Sequence, residues 1–221
     1  MQKTLRLNQL IEIYQWLKKG DINIVLFLLK SAIYNAQGRK IFSHHNTTIR
    51  GVKNIQVNDG RLVIGKEDIG FLDGRDWTLL NIRGKLIVNG VVSIGKGCRI
   101  VVADNAVCTL TNCIINGETR LIIMHGLEIG EGSRVAWGCE FLDEDFHQST
   151  VKDAQQTPNS IKVGEHVWIT SHARLLKGAA IGNGSIVASG AIVTKDFSDQ
   201  ENVLIAGVPA KVLKTNIAWE G

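Results

Sequence analysis

The chain has 221 residues, 44% of them apolar but only 6% aromatic, enough to bury one sizeable core filled by aliphatic side chains. A formal net charge of +4, from 25 basic and 21 acidic residues, is a mild excess with no aromatic-basic module beside it. It excludes a nucleic-acid binder from the expectations and leaves room for an anionic ligand.

The four cysteines, Cys98, Cys108, Cys113 and Cys139, form no CxxC pair and are expected as small buried fillers, not ligands. Met1 leads into a mixed polar segment without a cleavable apolar stretch, which makes a cytoplasmic location the expectation.

Residues 1–40 read as a helical extension. Leu5, Leu7, Leu10, Ile11, Ile13, Tyr14 and Leu17 give residues 3–20 a helical pattern that Lys18, Lys19 and Gly20 end. Asp21 is placed to cap a second helix through about Asn35, in which Ile22 and the run Ile24 to Leu29 are apolar on every side. That run is far shorter than the roughly 20 apolar residues that span a bilayer. It reads as a helix buried on the rest of the fold or on another subunit, or as a peripheral contact with a membrane or partner, which would put the protein at the membrane's inner face.

From Ile41 to Gly126 the chain is β-rich with an irregular six-residue step. Val57, Val63 and Ile69 keep it, as do Ile94 and Ile100, then Ile115, Leu121 and Leu127. Ile87 to Ile94 slips to seven and Leu127 to Ile129 to two. His44 and His45 are expected in a solvated loop or end cap, and His125 at a corner or in the core.

From Ile129 the step becomes regular. Ile129, Val135 and Phe141 set the phase, and Val163, Ile169, Leu175, Ile181, Val187 and Val193 continue it. A period of six matches neither an α-helix nor a hairpin, but it suits short strands that turn a corner and stack coil upon coil. Three hexads make one coil of a parallel β-helix, with the repeating aliphatic pointing inward. Gly130, Gly182 and Ala188 then read as packing and turn residues. The fold class is an all-β solenoid: an N-terminal extension over 1–40, a β-helix over 41–197 and a tail over 198–221.

The polar stretch from Leu142 to Ile161 fills no inward position and must leave the shaft as a protruding loop (142–161), the kind of place where function concentrates. It carries Asp145-Phe146-His147. A loop histidine read alone is more often solvated than catalytic, yet His147 is the best-presented imidazole of the six, with Asp143 or Asp145 near enough to fix its tautomer. His166 and His172 are six apart, so they belong to neighbouring faces of a coil and do not converge on a metal. Trp168 either packs an outer corner or lines an acceptor pocket. In the tail, Gly207 and Pro209 read as a fixed turn, and nothing locates Trp219.

The run Val163 to Val193, followed by Val-Leu-Ile-Ala-Gly-Val-Pro-Ala-Lys-Val at 203–212, resembles the hexapeptide-repeat acyltransferases, strongly over roughly 129–214. The resemblance implies a left-handed shaft, an exception to the usual crossover rule. It also implies acetyl-CoA as acyl donor, no metal, and a homotrimer with its site in a cleft between two shafts.

It makes His147 the catalytic base and places Trp168 beside it. Similarity to galactoside- and maltose-type acetyltransferases points to Ser171, Ser189, Thr194, Lys195, Lys211 and Lys214 for coenzyme A. Arginine often stands in that family where Lys211 and Lys214 stand here, which removes bidentate phosphate contact. The C-terminal half, down to Asn-Ile-Ala-Trp at 216–219, is similar to polysaccharide O-acetyltransferases of capsule and sialic-acid-polymer type, implying a carbohydrate acceptor. The alternatives are N-acylation of an amino sugar and a non-catalytic scaffold.

Overall fold

The computed structural model describes residues 23–36, 38–66, 72–73, 75–147 and 159–221. The helix expected over 3–20, Asp21, Ile22, Ile69 and residues 148–158 of the loop expected over 142–161 lie outside them. The shaft is a parallel β-helix of three faces. The first carries Val107–Thr111, Gly126–Ile129, Ile161–Val163, Ala180–Ile181 and Asp196–Phe197, and the second Ile114–Ile115, Arg134–Val135, Trp168–Ile169, Ile186–Val187 and Leu204–Gly207. The third runs from Thr47–Arg50 and Thr78–Ile82 through Arg99–Val102, Arg120–Ile123, Glu140–Leu142 and Arg174–Leu176 to Ile192–Val193. The long strands Ile55–Lys66 and Lys85–Gly95 serve the first two faces together.

Within each strand inward and outward positions alternate, so one aliphatic per hexad meets its counterpart one coil away. On the third face Ile100, Leu121, Phe141, Leu175 and Val193 line up in register; on the second, Ile115, Val135, Ile169, Val187 and Ile205 do. All nine repeat positions expected from Ile129 to Val193 are at most 2% exposed. Each such side chain contributes about 1.5–3 kcal/mol of burial, which is why the step holds wherever a coil is closed.

The early slips have local causes. Ile87 is half-buried, whereas Leu86 and Val88 point inward, so the rung runs Val88 to Ile94 and the step is six after all. Val63 also departs from the expectation: the register shifts between Asn58 and Arg61, where Asp59 has φ 41°, and Ile64 takes the rung opposite Ile94. One extra residue in a bulge moves the whole remaining strand to the other face.

Corners are turned by residues with left-handed backbone, stacked in columns. Gly132, His166, Gly184 and Asn202 turn the first face into the second; Gly97, Glu118, Gly138, His172 and Gly190 turn the second into the third. His166 and His172 thus stand on different corners. At Gly182 a Cβ would lie 2.1 Å from the Gln200 carbonyl oxygen of the next coil, so only glycine fits there.

The helix Ile24–Asn35 is capped by Asn23, whose side chain accepts from the Leu26 N–H at 3.1 Å. Lys30 Nζ donates to the carbonyls of His45 and Thr47 (2.5 and 2.7 Å), which seats the helix on the shaft's first coil. Only Phe27 and Ser31 are buried; Ile24, Val25, Leu26, Leu28, Leu29 and Ile33 face outward. No helix among the described residues is long and apolar enough to cross a membrane. His44, expected in a solvated loop or end cap, is buried, 2% exposed.

Candidate active site

The excursion begins where the third face meets the first. Asp143 is fully buried, and its carboxylate accepts three consecutive backbone N–H groups, from Met124 (2.6 Å), His125 (2.8 Å) and Gly126 (2.7 Å). A chain that continued the coil would offer carbonyls to those donors. Because it leaves, the carboxylate takes their place and satisfies a row of N–H groups that burial would otherwise penalise.

Asp143 is therefore committed to the backbone and does not orient His147. Beyond it, Glu144 Oε2 lies 2.7 Å from His125 Nε2, and Asn159, on the returning limb, places its Nδ2 3.1 Å from the same nitrogen. His125, expected at a corner or in the core, is exposed at this corner and stands between the two ends of the excursion. The hydrogen bond from His125, and then those from the Asp145 and Phe146 N–H groups, hold the Glu144 carboxyl below its ordinary range.

Asp145 pairs with Lys177 (2.5 Å), one coil further along the same corner, and this pair raises the lysine's pKa. Asp145, one of the two carboxylates expected near His147, is thus tied to Lys177 through Oδ2. Phe146 adopts φ 60° and, like His147 after it, is exposed. Thr194 and Lys195 occupy the same third-to-first corner in the following coil, both exposed; Lys195 Nζ sits 5.3 Å from the Phe197 ring centroid.

The other candidates gather elsewhere. Trp168 opens its strand on the second face, 40% exposed, between Arg134 and Ile186 of the neighbouring coils. Ser171 and Ser189 lie at the second-to-third corner, where the Ser189 hydroxyl donates to the Ser171 carbonyl at 2.7 Å. Lys211 and Lys214 are exposed on the strand Ala210–Lys214, which pairs antiparallel with Leu204–Gly207 through the turn at Gly207 to Pro209.

The tail also supplies a neighbour that the sequence left unplaced. Trp219 stacks on His166 at 4.2 Å between centroids, donates its indole N–H to the His166 carbonyl at 2.9 Å, and lies 5.9 Å from the Trp168 ring. Arg134 Nε donates to the Gly221 carbonyl at 3.0 Å, and the Ile217 N–H to the Asn202 carbonyl at 2.9 Å. No local pattern announces such a strap, because its partners are 53 and 87 residues away.

Within one chain the candidates thus form two sets. His147, Asp145, Thr194 and Lys195 follow the third-to-first corner; Trp168, Ser171, Ser189, Lys211 and Lys214 follow the second face and its corner with the third. Burial holds the Cys98, Cys113 and Cys139 thiols at about 12, 12 and 11, and drives Cys108 up as well. Such thiols are poor nucleophiles. Among the described residues no three His, Cys, Asp or Glu side chains stand close enough to hold a metal ion.

No protein-family model matches the chain. It is 34% identical over 205 residues to an "Uncharacterized 24.8 kDa protein in cps region" of Klebsiella pneumoniae, covering 92% of each. Over 68 residues it is 38% identical to the galactoside O-acetyltransferase of Escherichia coli (strain K12), 31% of this chain and 32% of that one. The crystal structure of the polySia specific acetyltransferase NeuO superposes with a TM-score of 0.54 at 21% identity, covering 81% of this chain and 74% of that one. The chain's homologues are acetyltransferases of the hexapeptide-repeat type. As in that family, the acyltransferase's shaft is a left-handed β-helix.

Proposed function

We propose that the protein is an acetyl-CoA-dependent O-acetyltransferase that modifies a sugar hydroxyl of a surface polysaccharide or its precursor. The observation that carries this reading is the split of the candidate residues between two edges of one prism. A closed threefold ring of parallel shafts sets one edge of each chain against the opposite edge of the next. Three equivalent clefts result, each with His147 on one wall and Trp168, Ser171 and Ser189 on the other. Likeness to a galactoside O-acetyltransferase supports a sugar hydroxyl as acceptor.

In such a cleft the pantetheine arm lies along the corner of Ser171 and Ser189, and Lys195, Lys211 and Lys214 neutralise phosphates. Thr194 sits beside Lys195 and adds a hydroxyl to that anchor. His147 takes the proton of the acceptor hydroxyl as its oxygen attacks the acetyl carbonyl. The tetrahedral intermediate collapses with cleavage of the carbon–sulfur bond, and the imidazolium returns the proton to the thiolate. Trp168 lines the acceptor side, and Asp145 acts by anchoring the excursion to Lys177. The outward apolar side chains of the helix Ile24–Asn35 support a peripheral partner or membrane contact for residues 1–40, at the cytoplasmic side.

The test is thioester consumption with a panel of hydroxyl and amino acceptors. The parent protein is expected to acetylate a hydroxyl acceptor, and His147→Ala to lower kcat/KM by about 10³-fold while acetyl-CoA still binds. Equal rates for parent and variant remove His147 from the mechanism, amino acceptors alone turning over make it an N-acyltransferase, and failure to bind coenzyme A leaves a scaffold.

A further inference from the structure

A groove of about 460 Å³ runs along the second-to-third corner, on the N-terminal side of Ser171. Its floor is the column of corner residues Gly97, Glu118, Gly138 and His172, one from each of four successive coils. The floor stays low because Gly138 has no side chain; a Cβ there would lie 2.5 Å from His172 Nδ1. One wall is a ladder in strict register, Arg99, Arg120, Glu140 and Arg174. Trp77 closes the far end, 47% exposed, with its indole N–H fixed on Thr48 Oγ1 at 2.9 Å and ring area left open.

Three features narrow the occupant. Arg120, Glu140 and Arg174 are adjacent, yet among the described residues none pairs with another within 4.0 Å, so their hydrogen-bonding groups remain unspent. The three arginines are balanced by Asp76, Glu118 and Glu140, which argues against a polyphosphate or nucleic acid and for a ligand with many donors and acceptors. The side chains repeat at the coil spacing, about 4.8 Å, over four coils. An extended pyranose chain advances by a similar step, offers hydroxyls to guanidinium and carboxylate groups, and presents an apolar ring face to an indole.

We propose that this groove binds an oligosaccharide of three or more sugar units, so that the acceptor is held as a chain and its reacting sugar is delivered beside Ser171. The proposal rests on the reading of the protein as a sugar acyltransferase. It adds recognition by Arg120, Glu140, Arg174 and Trp77, none of which takes part in acyl transfer.

The experiment applies labelled full-length protein to a printed array of bacterial capsule and O-antigen oligosaccharides, acidic and neutral, from one to six units long. The parent and His147→Ala are expected to retain at least one series from three units upward, with single sugars not retained. Arg120→Ala/Arg174→Ala and Trp77→Ala are expected to lose at least tenfold in half-saturating concentration, with circular dichroism and sedimentation unchanged. No retention on the array, retention that ignores length, or variants that bind as the parent does would overturn the proposal. So would an Arg120→Ala/Arg174→Ala protein that loses retention only because it dissociates, since the groove would then be a contact between copies of this chain. Chain binding by a parent that consumes no thioester keeps the groove and removes the acyl-transfer reading; efficient acetylation of single sugars and oligomers alike does the reverse.

Discussion

His44 shows how far a residue's setting can depart from its sequence neighbourhood. Among Ser43, His45 and Asn46 it reads as polar loop, yet it is buried in the first coil, its backbone N–H donating to the Ile64 carbonyl at 2.8 Å. Its Nδ1 accepts from the Asn46 N–H at 3.1 Å and its ring lies 4.1 Å from that of His45. Burial first, then the charges of His45, Lys96 and Lys30, bring its pKa down from 6.5 to about 4. The folded protein therefore favours the neutral ring, while the unfolded chain takes up a proton near 6.5. The stabilisation is whole above that pH and drains away as pH falls toward 4, by at most about 3 kcal/mol. Thermal melts between pH 7.5 and 4 are expected to show a steeper fall in Tm for the parent than for His44→Asn, which keeps an acceptor but cannot charge. Parallel curves would mean that the imidazole protonates freely in the fold.

At the scale of elements, the coils were legible and the departures from them were not. The step from Ile129 to Val193 can be read from the sequence because an inward position tolerates little but an aliphatic. Val63 misled because the bulge at Asp59 costs one residue without altering the hydrophobic pattern, so Ile64 and Val63 look interchangeable until the register is seen. The excursion announced itself by polarity, but the task of Asp143 did not, since its three donors lie 17 to 19 residues earlier. Asp143→Ala leaves three part-buried N–H groups without their acceptor and is expected to cost about 3 kcal/mol in urea unfolding, well beyond a surface change. A cost under about 1 kcal/mol would show that water replaces the carboxylate.

For the whole molecule, the proposed centre draws on two chains. His147 and Trp168 are proposed from the resemblance to family positions; that they stand on different edges of one prism is seen only in the fold, because a repeat fixes spacing and not which edges meet. Co-expressed His147→Ala and Trp168→Ala chains, each strongly impaired alone, are expected to regain activity in mixed trimers at about one cleft in four. Mixtures no better than either parent would place the whole centre within a single chain. The C-terminal hairpin has a consequence of another kind. A stack of parallel coils ends in open backbone edges, an invitation for the next molecule to add on and grow a filament. On the second face the strand Ala210–Lys214 runs the opposite way, with Lys211 and Lys214 exposed, so an incoming parallel coil finds reversed polarity and two charged side chains where it needs a template. The last coil on that face therefore withholds the parallel edge that every earlier coil presents to its neighbour.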